Sequence, residues 1–323
     1  MEIFYHVIMF IGATSLIFFL GGFMIEATDH LAHRLHRNGF LVAFILLGTL
    51  TSFSEMSVAF NATLERVPQI SVGNLVGGSF VIFLLIIPFL AFFGKGIKLE
   101  RSFTNRHVLL ALAVIGAPAI FILDGILTRT EGLIMFSMYG FFVVYANKGQ
   151  SRVKSRSLPP SRSALYMALS KIVVSGIIIF LSGKILVDEA LYFSNLLAIP
   201  ASIIGLLIIA IGTNVPEIVI AIRAIKQKRK TIAFGDFVGS ASFNTLLLGA
   251  LILINGTIYL EPSEFIIASV FLTVGLLLFY IFSRSKTDIS RTEGACLGLV
   301  YGFFVLMQIV NALFVALRLT FFG

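Results

Sequence analysis

Charge is what this sequence has least of. Asp, Glu, Lys and Arg together make up 12% of its 323 residues, against 58% hydrophobic residues and a mean hydropathy of +1.01. A soluble domain carries about a quarter of its residues as charges, so a soluble globular class is excluded. There is one cysteine, Cys296, which excludes an intramolecular disulfide and leaves no thiol cluster for zinc. No apolar run contains two histidines four apart with an acid, which excludes an intramembrane metallohydrolase. The first 25 residues have neither a basic leader nor a small-residue cleavage site, and are read as a retained first span. Trp is absent and Phe abundant, which speaks only to packing and lipid contact. Neither a catalytic residue nor a covalent cofactor is indicated.

What fills the chain instead is apolar runs long enough to cross a bilayer. Their pattern predicts an all-α integral membrane protein with ten helices near 3–25, 40–64, 71–93, 107–123, 131–147, 165–187, 196–225, 232–254, 263–282 and 293–318. The net charge of +8 could suggest nucleic acid, but its distribution points elsewhere. Basic residues fall in the odd-numbered loops: Arg34 and Arg37; Lys95, Lys98, Arg101 and Arg106; Lys148 to Arg162; Arg223 to Lys230; Arg284 to Arg291. This is the positive-inside pattern of a multi-pass protein of an inner or plasma membrane, with both termini outside and lipid rather than nucleic acid as its surroundings.

One polar stretch, KGQSRVKSRSLPPSRS, lies at the midpoint and reads as a cytoplasmic linker, 148–164, between a half at 1–147 and a half at 165–323. The halves repeat each other. LTSFSEMSVAF at 50–60 lies over GTNVPEIVIAI at 212–222, an offset of 162, and the same offset puts GNLVGGSF at 73–80 over GDFVGSAS at 235–242. A repeat of five spans must insert with opposite orientation. Inverted repeats with Gly- or Pro-interrupted helices at matching places point to a secondary transporter whose site lies at the bilayer midplane.

Glu55 and Glu217 match under this offset, and each sits inside an apolar run. A charge at that depth costs about 2.5–3.5 kcal/mol on insertion scales. Two carboxylates facing each other repel unless a cation or proton lies between them. Their company is hydroxyl and amide oxygen: Thr51, Ser52, Thr213 and Asn214 lie three or four residues before each acid and share its helix face. Ser240 and Asn244 share a face of the following helix. Pro216 frees a carbonyl near Thr213 or Gly212, and Gly73, Gly77, Gly78, Gly235 and Gly239 permit close helix approach. Such hard oxygens suit Ca²⁺, Mg²⁺ or Na⁺.

The stretches at 48–82 and 210–244 resemble the two α-repeats of the cation/calcium antiporter superfamily, especially its sodium/calcium exchanger branch. GTNVPE and GDFVGSASFN are near matches to the family pattern. The resemblance implies ten helices as two inverted five-helix repeats, a central site from spans 2, 3, 7 and 8, and sliding of spans 1 and 6. It implies Glu55 and Glu217 as the cation-coordinating pair, Thr51 and Thr213 as lenders of oxygen, and Ser52, Asn214, Ser240 and Asn244 as the surrounding ion ligands. The expected function is exchange of Ca²⁺, or a similar divalent cation, for Na⁺. The first repeat departs from the pattern: Ser54 replaces proline, Leu50 and Gly78 replace Gly and Ser, and Ile82 stands opposite Asn244, while Asn214 replaces Ser in the second. This thinning leaves open proton coupling in the same fold, and binding without exchange.

Other polar residues carry less. His30, His33 and His36 suggest an amphipathic interfacial segment in the first cytoplasmic loop. Asp124, Glu131, Asp188, Glu189, Glu261 and Glu264 are expected in outer loops. Asp236, counterpart of Asn74, is either an accessory acid or a helix N-terminal charge.

Overall fold

The protein, as a computed structural model, is described over residues 2–35, 49, 51–98, 105–147, 162–228, 230–285 and 288–322. Backbone groups in lipid have no water to bond, so apolar runs close their own hydrogen bonds as helices. They do so here as α1 (Glu2–Leu35), α2 (Phe53–Leu64), α3 (Pro68–Phe93), α4 (Asn105–Phe121), α5 (Arg129–Asn147) and α6 (Arg162–Leu197). Then follow α7 (Ala201–Thr213), α8 (Val215–Gln227), α9 (Lys230–Asn255), α10 (Pro262–Ser285) and α11 (Arg291–Phe322). Among the described residues seven helices are long and apolar enough to cross a membrane, or eight if the bent pair α7–α8 is one span. The two that fall short have plain reasons. Only twelve residues of α2 are described as helix, and the polar Arg129 and Glu131 lower the hydropathy of α5. Of the expected span 40–64 only Thr49 and the residues from Thr51 onward are described, with Leu50, His36 and most of the linker outside the described residues.

Three expectations are corrected. Helix α1 continues past residue 25 through His30 and His33, because no Pro or Gly intervenes. Helix α6 likewise runs ten residues beyond 187, to Leu197. Asp188 and Glu189 are therefore helical, and Glu189 is buried beneath His6 of α1, whose Nδ1 lies 2.7 Å from its Oε2. Glu264 lies in the first turn of α10 and accepts a hydrogen bond from the Ser202 hydroxyl.

Helix α3 is the centre of the bundle, 83% of its span being buried, whereas α1, at 17%, lies on the outside. Helix α3 meets α7 backbone to backbone. A Cβ at Gly73 would stand 2.2 Å from the Ser202 carbonyl oxygen, and one at Gly77 2.3 Å from that of Leu206, so only glycine fits. Each of these helices contains a wider π-helical stretch, Val81–Ile86 and Gly205–Ile209. Around them Phe80 stacks on Phe304 at 4.0 Å between centroids, and Phe83 meets Phe279 edge-on at 5.2 Å.

Several local features recur at the offset of 162. Thr128 and Glu131 close a capping box on α5, with Glu131 Oε2 2.7 Å from the Thr128 N–H. Ser290 and Glu293 close the same box on α11, again at 2.7 Å. Two short strand pairs join loops of opposite halves: β1 (Ile97–Lys98) with β4 (Asp288–Ile289), and β2 (Ile126–Leu127) with β3 (Ile258–Tyr259). Lys230 reaches across to the carbonyls of Gly94 and Gly96, so α9 begins at the β1–β4 end.

Candidate functional site

Helix α2 begins at Phe53 and helix α8 at Val215, so Glu55 and Glu217 both occupy the first turn of a helix. The residues before them, Ser52 and Asn214, hold nearly the same backbone geometry, φ −80°, ψ 13° and φ −93°, ψ 10°. At Asn214 the chain bends by 41° between α7 and α8, with Pro216 just inside the new helix, where its missing N–H costs nothing. Helix N-termini carry partial positive charge, so each break turns a favourable field toward its own carboxylate.

Both carboxyls are fully buried, with 0% exposure. Ser54 Oγ lies 2.8 Å from Glu55 Oε2 and 3.0 Å from the Thr213 carbonyl oxygen, and its one proton serves these in turn. Asn74 bridges the same gap: its Nδ2 donates to the Glu55 carbonyl at 3.5 Å and its Oδ1 accepts from the Thr213 hydroxyl at 3.2 Å. Ser52 Oγ and Ser240 Oγ are 2.8 Å apart. Asn214 Nδ2 donates to the Ala210 carbonyl at 2.9 Å, which also accepts the Asn214 backbone N–H at 3.3 Å. The side chains of Asn214 and Asn244 converge above Gly78, where a Cβ would meet their Nδ2 atoms at 3.2 and 2.9 Å. Thr51 is buried next to Ser52.

The eight residues singled out from the sequence are therefore all buried and fall in one polar cluster between α2, α3, the α7–α8 break and α9. Three buried residues join them. Ser54 and Asn74 carry the contacts just given, and Asp236 is buried on α9 one turn before Ser240. Asn74 and Asp236 carried a signal, since the repeat pairs them. Ser54 carried less, because its importance lies in a contact 159 residues away. Ile82, the counterpart of Asn244, is buried in the π-helical stretch of α3 and offers no oxygen.

Many of the cluster's oxygens have no hydrogen-bond partner among the described residues: Glu55 Oε1, both Glu217 Oε, both Asp236 Oδ, Asn214 Oδ1 and Asn244 Oδ1. Buried acceptors without donors suit a cation. Among the described residues no three His, Cys, Asp or Glu side chains converge on one point, so carboxylates alone cannot complete a coordination shell. Hydroxyl, amide and carbonyl oxygens would have to supply the rest. Beside the cluster, between α1 and α8, Phe18, Phe19, Phe23, Val219 and Ile220 line a mainly apolar cavity of about 200 Å³ with Arg223 at its edge.

The sequence profile described as "Sodium/calcium exchanger protein" matches residues 5–147 and again 167–310. The sodium/calcium exchanger MaX1 of Methanosarcina acetivorans is 25% identical over 340 residues, covering 91% of this chain and 96% of that protein. The inner membrane protein YrbG of Escherichia coli is 26% identical over 218 residues, covering 64% and 67%. Among solved structures, the sodium-calcium exchanger NCX_Mj soaked with 10 mM Na⁺ superposes with a TM-score of 0.69 at 19% identity, covering 93% of this chain and 98% of that one. It shares the fold. With both halves matched, this multi-pass membrane protein belongs to the sodium/calcium exchanger protein family.

Proposed function

We propose that the chain is a secondary active antiporter that exchanges Ca²⁺, or a similar divalent cation, for Na⁺ by alternating access. The observation that carries this is the pair Glu55 and Glu217: fully buried, 162 residues apart, each in the first turn of a helix, and with three carboxylate oxygens between them that have no hydrogen-bond partner among the described residues. Their hard oxygens, with those of Thr51, Ser52, Thr213, Asn214, Ser240 and Asn244, suit a divalent cation that sheds water on entry. A cation that neutralises the pair also removes the repulsion that its absence leaves, so emptying and refilling are coupled through charge.

The reading includes ten transmembrane helices arranged as two inverted five-helix repeats, 1–147 and 165–323, joined by the linker 148–164. The doubled family match, the paired capping boxes and the matching breaks at Ser52 and Asn214 support it. So do the strand pairs, since a two-fold axis that exchanges the halves turns β1–β4 into β3–β2 at the other end of the bundle. Helices α1 and α6 pack along each other outside the cluster and would slide to open it to either side. The positive-inside pattern puts both termini outside an inner or plasma membrane.

The test is uptake of radioactive Ca²⁺ into proteoliposomes under an outward Na⁺ gradient, an outward H⁺ gradient and no gradient, with Glu217→Gln as control. Uptake driven by Na⁺ and lost in the variant is expected. Uptake driven only by H⁺ would reassign the coupling ion, and uptake indifferent to gradients would overturn antiport.

A further inference from the structure

The offset of 162 pairs the seam between α6 and α2 with the seam between α1 and α8, and the two are built differently. In the first, Ser57 Oγ donates to the Ile179 carbonyl and Asn61 Nδ2 to the Phe180 carbonyl, each at 3.0 Å. Gly183 of α6 lies so near Ser57 that a Cβ would collide with its hydroxyl, and Lys184 reaches Glu65 at 2.6 Å. Polar contacts close this seam along its length.

In the second seam each fastener is exchanged. Val219 stands 162 residues after Ser57 and Arg223 after Asn61, while Gly22 stands 162 before Lys184. Val219 offers no hydroxyl, Gly22 no side chain, and Arg223 is exposed. Helices α1 and α8 touch where Gly21 meets Pro216, a Cβ there lying 3.1 Å from the proline ring. Beyond that contact they leave the cavity of about 200 Å³, walled by Phe18, Phe19 and Phe23 on one side and Val219 and Ile220 on the other. A Cβ on Gly22 would meet nothing within 4 Å. Phe19 and Phe23 are 62% and 54% exposed, so the groove is open at the surface of the bundle.

Charge decides what fits it. No acid lines the groove, and Arg223 takes part in none of the ion pairs among the described residues. Lys226 and Lys228 follow it, both exposed. A neutral lipid would fill the walls and leave the guanidinium without a counter-charge; a soluble phosphate would do the reverse. An acyl chain that ends in an anionic phosphate meets both demands. The positive-inside pattern places Arg223 at the cytoplasmic face, so the chain comes from that leaflet. We propose that the α1–α8 groove binds an anionic phospholipid, with one acyl chain along the three phenylalanines toward Pro216 and the phosphate on Arg223. Its occupancy does not depend on which ions the chain exchanges. Its consequence is that a lipid lies in the seam along which α1 would slide, with its tail against the residue that shapes the break beside Glu217.

The chain has no Trp, so a single introduced Trp reports on the groove by its fluorescence. The full-length Phe19→Trp protein is reconstituted in phosphatidylcholine vesicles with rising fractions of phosphatidylglycerol or phosphatidylcholine brominated on the acyl chain, which quenches a Trp in contact with it. Phe303→Trp, at a position 60% exposed on α11, is the reference. Half-quenching of the Phe19→Trp protein is expected at an about fivefold lower fraction of the anionic lipid than of the neutral one, with no such difference at Phe303→Trp. Adding Arg223→Gln should remove the preference. Adding Gly22→Leu, which fills the groove, should weaken quenching by both lipids, and Val219→Phe takes its place if that variant does not elute as a single species. Equal half-quenching by the two lipids at Phe19→Trp overturns the proposal, as does an equal preference at Phe303→Trp or one that survives Arg223→Gln. Quenching undiminished in the filled groove places the lipid elsewhere. A Phe19→Trp protein quenched by neither lipid has its groove covered by another occupant, such as a second copy of the chain, and overturns it too.

Discussion

Ser54 and Pro216 occupy equivalent places in the two halves, yet they contribute differently. Pro216 only shapes the break; Ser54 also lends a hydroxyl that lies within bonding distance of the Glu55 carboxylate and the Thr213 carbonyl. A hydrogen bond to a charged group contributes about 1.5–3 kcal/mol. Ser54→Ala is therefore expected to weaken the apparent Ca²⁺ affinity of uptake by about tenfold or more. Ser54→Pro should fold, as proline is tolerated in a first helical turn, but should show the same loss. Equal Ca²⁺ affinity in wild type and both variants would show that the hydroxyl is idle. The glutamates were legible in the sequence because a charge in an apolar run needs a reason. The bridges through Ser54 and Asn74 were not. Each is a contact across more than a hundred residues, fixed by how α2 and α3 pack on the α7–α8 break, and residue type alone does not reveal that.

At the scale of elements, the apolar runs gave the helices and Gly212 with Pro216 gave the break, whereas the ends and the π-helical stretches were hidden. A helix in lipid stops only where its sequence stops it, so α6 overran the hydropathy edge at 187 and continued to Leu197, short of Pro200. Contacts between elements make two tests possible. A Cβ at Gly183 of α6 would come within 2.1 Å of Ser57 Oγ and 3.0 Å of the Ser57 backbone, in the contact of α6 with α2. Gly183→Ala is expected to cost about 1–3 kcal/mol through overpacking and to slow uptake. Gly140→Ala, whose Cβ meets nothing within 4 Å on a helix, should be neutral or stabilise by about 0.5–1 kcal/mol. Thermal unfolding in detergent separates the two, and a Gly183→Ala protein as stable as Gly140→Ala would contradict the close contact. The capping boxes offer the second test. Thr128→Ala and Ser290→Ala should each lower stability by about 1 kcal/mol, and the double variant by nearly the sum, because the boxes share no partner.

At the scale of the whole molecule, the halves are interlocked rather than stacked. Helix α1 lies on α6, α3 on α7 and α11, α4 on α10 and α5 on α9, and every one of these pairs crosses between halves. The strand pairs cross as well, and so do the Ser52–Ser240 contact and the reach of Lys230 to Gly94 and Gly96. The sequence could show two similar halves but not this interlocking, because a repeat seen in one dimension does not say which faces meet. In lipid, burial of apolar surface is a weak glue; close packing through small residues and polar contacts between helices hold a bundle together. Those contacts are plentiful here, and the ones just named are all made by described residues on either side of the stretch between Asn147 and Arg162. Residues 1–161 carrying an affinity tag, coexpressed with untagged 162–323, are therefore expected to co-purify in detergent in about equal amounts and to retain Na⁺-driven Ca²⁺ uptake. Adding Gly73→Leu to the tagged half should abolish co-purification, since even a Cβ there would lie 2.2 Å from the Ser202 carbonyl oxygen of α7. If the untagged half is lost during washing without that substitution, the covalent linker and not the packing joins the halves, and the two-fold interlocking described above is too weak to carry transport.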